Sequence, residues 1–164
     1  MIMSNNIQGF VKELEFEEAL TNHLLQHGWN EVIKNPTEEE LVQNWANIIY
    51  DNNRGVDQLG KHPLTTSEMQ QVIDQVNLCD SPYAINNLIN GQQLCIKRDC
   101  QEDRNNYGKT VYLKIFDPKE ISAGQSRYQI VRQPKFKTKE AMAGDRRGDL
   151  MLLINGMPVI HIEL

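Results

Sequence analysis

Apolar residues recur at helical spacing through the first half of the chain and at strand-like spacing through the second, and the change of period falls just after Gly91. Between residues 12 and 26, Phe16, Leu20 and Leu24 fall on one stripe with Ala19 and Leu25 beside it, and Gly28 follows, so the segment predicts an amphipathic helix. Thr37-Glu38-Glu39-Glu40 has the form of a capping box and opens a second helix that runs to about Asp51. Thr65-Thr66-Ser67-Glu68 repeats that signal before a third helix over residues 68–78. Ser81-Pro82 starts a fourth, which Asn90-Gly91 ends. Strands are predicted over residues 93–98, 110–116, 128–136, 149–154 and 159–164, with polar connections at 99–109 and 117–126. Helices followed by strands make an α+β pattern, or the first part of an α/β domain.

Composition narrows the class. A chain of 164 residues that is 40% hydrophobic and 24% charged can bury one core, so residues 1–164 are expected to form a single domain. No window approaches a membrane span and Met1-Ile2-Met3-Ser4-Asn5-Asn6 has no signal-peptide character, which gives a cytoplasmic expectation with no membrane partner. Cys79, Cys95 and Cys100 are odd in number and lack paired spacing, so three reduced thiols are expected rather than a zinc site.

A net charge of −5 argues against a free-standing DNA-binding protein, because duplex affinity rests largely on neutralising phosphates. The distribution of charge qualifies that. Residues 1–60 hold ten acidic and three basic side chains, whereas residues 127–147 hold seven basic and two acidic. The basic run of Arg127, Arg132, Lys135, Lys137, Lys139, Arg146 and Arg147 leads directly into Asp149, as a phosphate-facing rim beside a metal site would. A solvated strand and loop would read the same way.

The chemistry concentrates in the last residues. Asp149 heads an apolar run, Asn155-Gly156 marks a turn, and the run from Val159 returns to Glu163, one residue from Leu164. Ionised carboxylates are costly in apolar strands unless paired or metal-bound. With a strict two-residue turn, Asp149 would oppose Ile162 and Glu163 would face the other side of the sheet. A three-residue loop, Asn155-Gly156-Met157, sets Asp149 across from Glu163 with Cβ atoms about 5 Å apart, and this register is expected. Pro158 then opens the returning strand, where a missing N–H is tolerated. Facing carboxylates with open positions suit a hard cation, magnesium or manganese.

Arg146-Arg147-Gly148-Asp149, the apolar strand, Asn155-Gly156, Pro158, the second apolar strand and Glu163-Leu164 together resemble the nuclease core of the R subunit of type I restriction enzymes, within the PD-(D/E)xK superfamily. Glu13-Leu14-Glu15-Phe16-Glu17 leading to His27-Gly28-Trp29 is similar to the family's N-terminal signature. So are Ser81-Pro82-Tyr83-Ala84-Ile85-Asn86 with Gly91, Val111 to Pro118, and Tyr128-Gln129-Ile130-Val131-Arg132-Gln133. The resemblance implies a restriction-endonuclease-like fold with an incomplete core, and metal-dependent hydrolysis of double-stranded DNA in the parent protein. It assigns catalysis to Asp149 and Glu163, and metal binding to both together with the Leu164 backbone carbonyl. Glu17 or Glu13 is a candidate third acidic ligand, and Arg132, Lys135, Lys137, Lys139, Arg146 and Arg147 are candidate DNA contacts. It also implies an ATP-driven motor elsewhere in the parent and methyltransferase and specificity subunits as partners. This chain has no GxxxxGK[ST] and is not expected to bind ATP.

Two departures stand out. Gly148 replaces the family's proline, with an expected loss of rigidity only. The motif lysine would be the residue after Leu164, so the chain is expected to be a truncated module with little or no cleavage of its own. The remaining candidates read as structural. His23 and His27 stand four apart but lack a zinc-protease glutamate, and Trp29 and Trp45 suit a core or interface. His161 reads as a packed strand residue on the face of Glu163, Gln133 as an edge contact to substrate, and the loop 137–147 as a segment without assigned chemistry. The alternative expectation is a non-catalytic docking module with a nuclease-like fold. A related superfamily nuclease with another partner is a third.

Overall fold

Strand pairing, more than helix packing, organises the molecule. The computed structural model describes residues 3–122, 124, 126–137 and 146–164. Its first half holds α1 (Met3–Gln26), β1 (Glu31–Lys34), α2 (Glu38–Asn52), α3 (Thr66–Asn77) and α4 (Pro82–Ile89). Its second half holds β2 (Leu94–Lys97), β3 (Thr110–Leu113), α5 (Pro118–Ser122), β4 (Tyr128–Arg132), β5 (Lys135–Phe136), β6 (Arg146–Arg147), β7 (Leu150–Ile154) and β8 (Met157–Ile162). Strands β1, β4, β7 and β8 form a mixed sheet in that order, β2 pairs with β3, and β5 pairs with β6. The class is α+β, with helices leading into a mixed sheet. None of the described helices is long and apolar enough to cross a membrane. Contacts divide the chain into two compact units, Met1–Leu41 with Arg127–Leu164, and Val42–Ser126.

In the first unit, β1 was not predicted. Its four residues carry only Val32 and Ile33 between charged ends, and their extended form is set by parallel pairing with β4, Val32 to Ile130 and Ile33 to Val131. Apolar clusters lie on both faces of the two inner strands, while most of the edge strand β8 is exposed. Ile130, Leu150 and Leu152 pack with Leu20, Leu24, Trp29, Val32 and Ile162, while Val131, Met151 and Leu153 pack with Ile33, Leu41 and Phe136. Full burial of a side chain such as Ile130, Leu150 or Leu153 is worth about 1.5–3 kcal/mol relative to exposure. The inward stripe of α1 is Glu17, Leu20, Thr21 and Leu24, and Phe16, expected on that stripe, is 57% exposed. The strand expected over 128–136 is broken at Gln133, whose φ of 51° is followed by Pro134.

In the second unit the expected caps are present. Thr65 and Glu68 close a capping box on α3, and Ser81 accepts from Ala84 N–H with Pro82 opening α4. Helix α5 lies in a segment read as a polar connection. Asp117 caps it, accepting from Lys119 N–H at 2.9 Å. The unit's most demanding feature is Arg98, 1% exposed. Its Nη1 donates to Glu68 Oε2 at 2.5 Å, its Nε to Asp103 Oδ2 at 3.1 Å, and its Nη2 to the His62 carbonyl at 2.8 Å. Glu68 Oε1 accepts in addition from Asp99 N–H at 2.8 Å and Cys100 N–H at 3.3 Å.

Burial works to raise the Asp103 pKa, but hydrogen bonds from Arg98 and Asn106 outweigh it and hold the carboxyl below its ordinary value. Hydrogen bonds from Ser67 and Thr65 depress Asp99 as well. A depressed carboxylate contributes stability above its unfolded pKa of about 3.9 that is lost as pH falls through the folded value. The urea midpoint is therefore expected to hold at neutral pH and to fall as the pH drops below about 4. Arg98→Met leaves two buried carboxylates uncompensated and is expected to cost about 3–5 kcal/mol by urea denaturation at pH 7. Arg54→Met, which breaks an exposed pair with Asp51, should cost no more than about 1 kcal/mol.

Candidate active site

The site is built by two registers that meet at Asp149. Between β4 and β7, Arg132 pairs with Leu150. The same offset continues past the strand ends, because Gln133 N–H donates to the Asp149 carbonyl at 2.8 Å and Gly148 N–H to the Pro134 carbonyl at 3.1 Å. It is still kept at Lys135 with Arg147 and Phe136 with Arg146. Asp149 is thereby held level with Gln133 on one side.

On its other side the hairpin corrects the expected loop. Asn155 and Gly156 have φ of 51° and 82° and form a two-residue turn, with Ile154 paired to Met157 and Leu153 to Pro158. The register then shifts, so that Leu152 pairs with Ile160 and Leu150 with Ile162, leaving Val159 as the extra residue of a β-bulge. Continuing that offset by one residue sets Asp149 level with Glu163. The odd offset expected from the sequence is present, but the bulge supplies it and not a three-residue loop. Pro158 lies within β8, at the sheet edge, where its missing N–H leaves no ladder bond unmade.

Polar partners define the rest. Leu164 N–H donates to Asp149 Oδ2 at 2.5 Å, and His161 Nε2 lies 3.1 Å from Glu163 Oε1. His161 reaches across Gly148, where a Cβ would stand 2.8 Å from His161 Nε2 and 3.3 Å from Pro134 Cγ. Gly148 thus does more than relax the strand entrance, because it leaves the space that the imidazole occupies. His161 shares the face of Glu163, as strand alternation predicts, but it is exposed rather than packed, because β8 is the edge strand.

Glu17 and Glu13 separate clearly. Glu13 is exposed, whereas Glu17 is 4% exposed and accepts from Arg132 Nε at 2.7 Å and Gln133 Nε2 at 3.2 Å. The left-handed backbone of Gln133 interrupts strand alternation, so two successive side chains reach the same carboxylate. Among the described residues, Glu17, Asp149 and Glu163 do not gather as a three-carboxylate cluster; the group close enough for a shared ion is His62, Cys100 and Glu102 in the second unit.

The basic run is also partnered from within. Arg127 makes a two-pronged bond to Glu31, with Nε–Oε1 at 2.7 Å and Nη2–Oε2 at 2.9 Å, and this lowers the Glu31 pKa. Arg132 pairs with Glu17 and Lys137 with Glu39. Lys135 is half-buried, Arg146 and Arg147 form β6, and Lys139 lies outside the described residues, as does most of the loop 137–147. His23, on α1, and His27, just past its end, are both exposed, and His23 offers its carbonyl to His27 Nδ1 at 2.7 Å.

Removing Glu17 strands a largely buried guanidinium and an amide, so Glu17→Ala is expected to cost about 1–3 kcal/mol by urea denaturation. Glu13→Ala should fall within about 0.5 kcal/mol of the parent chain. Equal costs would mean that the Glu17–Arg132 pair adds nothing.

Comparisons with known proteins give the family. A family model described as the type I restriction enzyme R protein N terminus matches residues 11–164. A type I restriction enzyme endonuclease subunit of Staphylococcus saprophyticus is 28% identical over 160 residues, covering 94% of this chain and 15% of that subunit. Two such subunits of Staphylococcus aureus are 28% and 27% identical over 159 residues, again covering 94% of this chain and 15% of theirs. The chain thus spans about 15% of the length of these curated relatives. With the α+β order and the family match over nearly its whole length, the chain belongs to the family of type I restriction enzyme R protein N-terminal domains.

Proposed function

We propose that this chain is the endonuclease module of a type I restriction R subunit, of the PD-(D/E)xK kind, and that Asp149 and Glu163 hold the divalent cation for phosphodiester hydrolysis of double-stranded DNA. One observation carries the reading: past the Val159 bulge Leu150 pairs with Ile162, and the same offset carried one residue further brings Asp149 level with Glu163 at the open end of the hairpin. The donor set fits a hard cation, since both groups offer oxygen and Glu163 is exposed. The Leu164 carbonyl, the main-chain oxygen that follows Glu163, completes the proposed ligands. Magnesium or manganese, when bound, would offset charge on the scissile phosphate and lower the pKa of a water.

The chain's own groups have simpler tasks. Gln133 and Pro134 fix the level of Asp149 through backbone bonds, and Glu17 locks Arg132 and Gln133 against α1. His161 orients Glu163 and must release it as the carboxylate turns to a cation. Lys135, Arg146 and Arg147 are the proposed phosphate contacts, joined by Lys139, while Arg132 and Lys137 would first have to leave their carboxylate partners. In the parent protein, acting in the cytoplasm, an ATP-driven motor would move the duplex, and methyltransferase and specificity subunits would choose the site. A docking module is the alternative, favoured by the internal partners that Asp149, Glu163 and Arg132 already have.

In the full-length R subunit, Asp149→Ala and Glu163→Ala are each expected to reduce DNA cleavage by at least about 10²-fold while ATP-driven translocation persists. Cutting at the parental rate by either variant would remove those residues from the site. Insertion of one alanine between Ile162 and Glu163 is a sharper test, because it keeps both carboxylates and the Leu150–Ile162 pairing and changes only the level of Glu163. It should abolish manganese binding, read by electron paramagnetic resonance, with circular dichroism unchanged; unaltered binding would refute the role of the register.

A further inference from the structure

We propose a second metal site, distinct from the carboxylate hairpin, in which His62, Cys100 and Glu102 bind zinc or a similar borderline divalent cation. One donor atom from each lies within 4.8 Å of the others. The sequence pattern argued against zinc because Cys100 has no CxxC partner, but the set is assembled across the fold, with a thiol and a carboxylate from one turn and an imidazole from a separate loop. Nitrogen, sulfur and oxygen donors in one group suit zinc rather than magnesium, and three protein ligands leave a fourth position for water. Tetrahedral zinc needs donors about 3.5 Å apart, a small closure from the present spacing.

The observations reach beyond proximity. Cys100 is 6% exposed and its Sγ donates to Glu102 Oε2 at 3.4 Å, so thiol and carboxylate already face each other. Both donor-bearing segments are fixed by the same buried ion cluster. Arg98 Nη2 holds the His62 carbonyl, and Glu68 Oε1 holds Cys100 N–H. Asp103 N–H closes the turn on the Cys100 carbonyl at 3.1 Å. Such outer contacts orient ligands before the metal arrives. A cavity of about 340 Å³ lined by His62, Glu102 and Asp103 offers access from solvent. Lys61 and Arg104 also line it, but the carboxylates Glu68, Asp99, Glu102 and Asp103 outnumber the local cations. On binding, Cys100 releases its thiol proton to solvent and its thiolate takes the cation, so the site ties the two loops together.

The test is a titration of the reduced, metal-stripped full chain with cobalt(II) and then zinc. One equivalent of cobalt should give a thiolate-to-cobalt charge-transfer band that zinc abolishes. Cys100→Ser should eliminate the band, and His62→Ala and Glu102→Gln should each weaken zinc binding at least tenfold. Glu102 is exposed, so its variant reports on the site without disturbing the core. Cys95→Ser and the double change His23→Gln with His27→Gln should leave the band and its stoichiometry intact. Absence of a thiolate band in the unaltered chain, persistence of the band in Cys100→Ser, or its loss in Cys95→Ser would each overturn the proposal.

Discussion

Strand register is the constraint on which the rest of the candidate active site depends. Side chains alternate along a strand, so an offset of one residue exchanges the faces of everything beyond it. One unbroken offset runs from Tyr128 with Ile154 through Gln133 and Asp149 to Phe136 with Arg146, across the break at Pro134. A second offset, between β7 and β8, is changed once by Val159. Because β7 belongs to both, Asp149 has no freedom of level with respect to either neighbour. Main-chain register sets the level of the two residues, and the Leu164 N–H and His161 contacts then orient their carboxylates.

The parts legible in the sequence are those decided locally. Capping boxes at Thr37 and Thr65, proline after Ser81 and the Asn90-Gly91 stop each act within a few residues, and each gives the expected helix end. The hairpin carboxylates stood out because ionised groups are costly in apolar strands, the odd offset followed from letting them meet, and the family resemblance added their catalytic role. What failed was non-local or depended on one backbone angle. Strand β1 exists because β4 lies beside it. A bulge and a three-residue loop satisfy the same parity, and sequence spacing cannot separate them. Assigning Phe16 to the buried stripe placed the helix face one position away from Glu17, which hid the one glutamate of that run that is buried.

Charge distribution had a different outcome from the one its pattern suggested. The acidic first sixty residues and the basic run near Asp149 look like unrelated surfaces in sequence, yet Glu17, Glu31 and Glu39 meet Arg132, Arg127 and Lys137 within one unit. Much of the asymmetry is internal pairing across the sheet's edge elements. Exposed pairs such as Lys137 with Glu39 contribute little to stability and can be exchanged for phosphate contacts at low cost. The largely buried Glu17–Arg132 pair cannot, because freeing its arginine exposes an unpaired carboxylate to a low-dielectric surrounding.

That difference sorts the acidic groups by function. Glu17 faces a guanidinium, so its charge is already balanced and its role is to hold Arg132 and Gln133 in place. Asp149 faces an amide and Glu163 an imidazole, donors that orient a carboxylate without cancelling its charge while the histidine is neutral. Placing two uncancelled carboxylates level on adjacent strands is unfavourable for the sheet alone, since like charges opposite one another repel. A cation between them reverses the sign of that interaction, and a sheet edge, open to water, is where both the empty and the filled arrangement can be tolerated. The same geometry that costs the hairpin stability is therefore the one that the proposed cation would relieve.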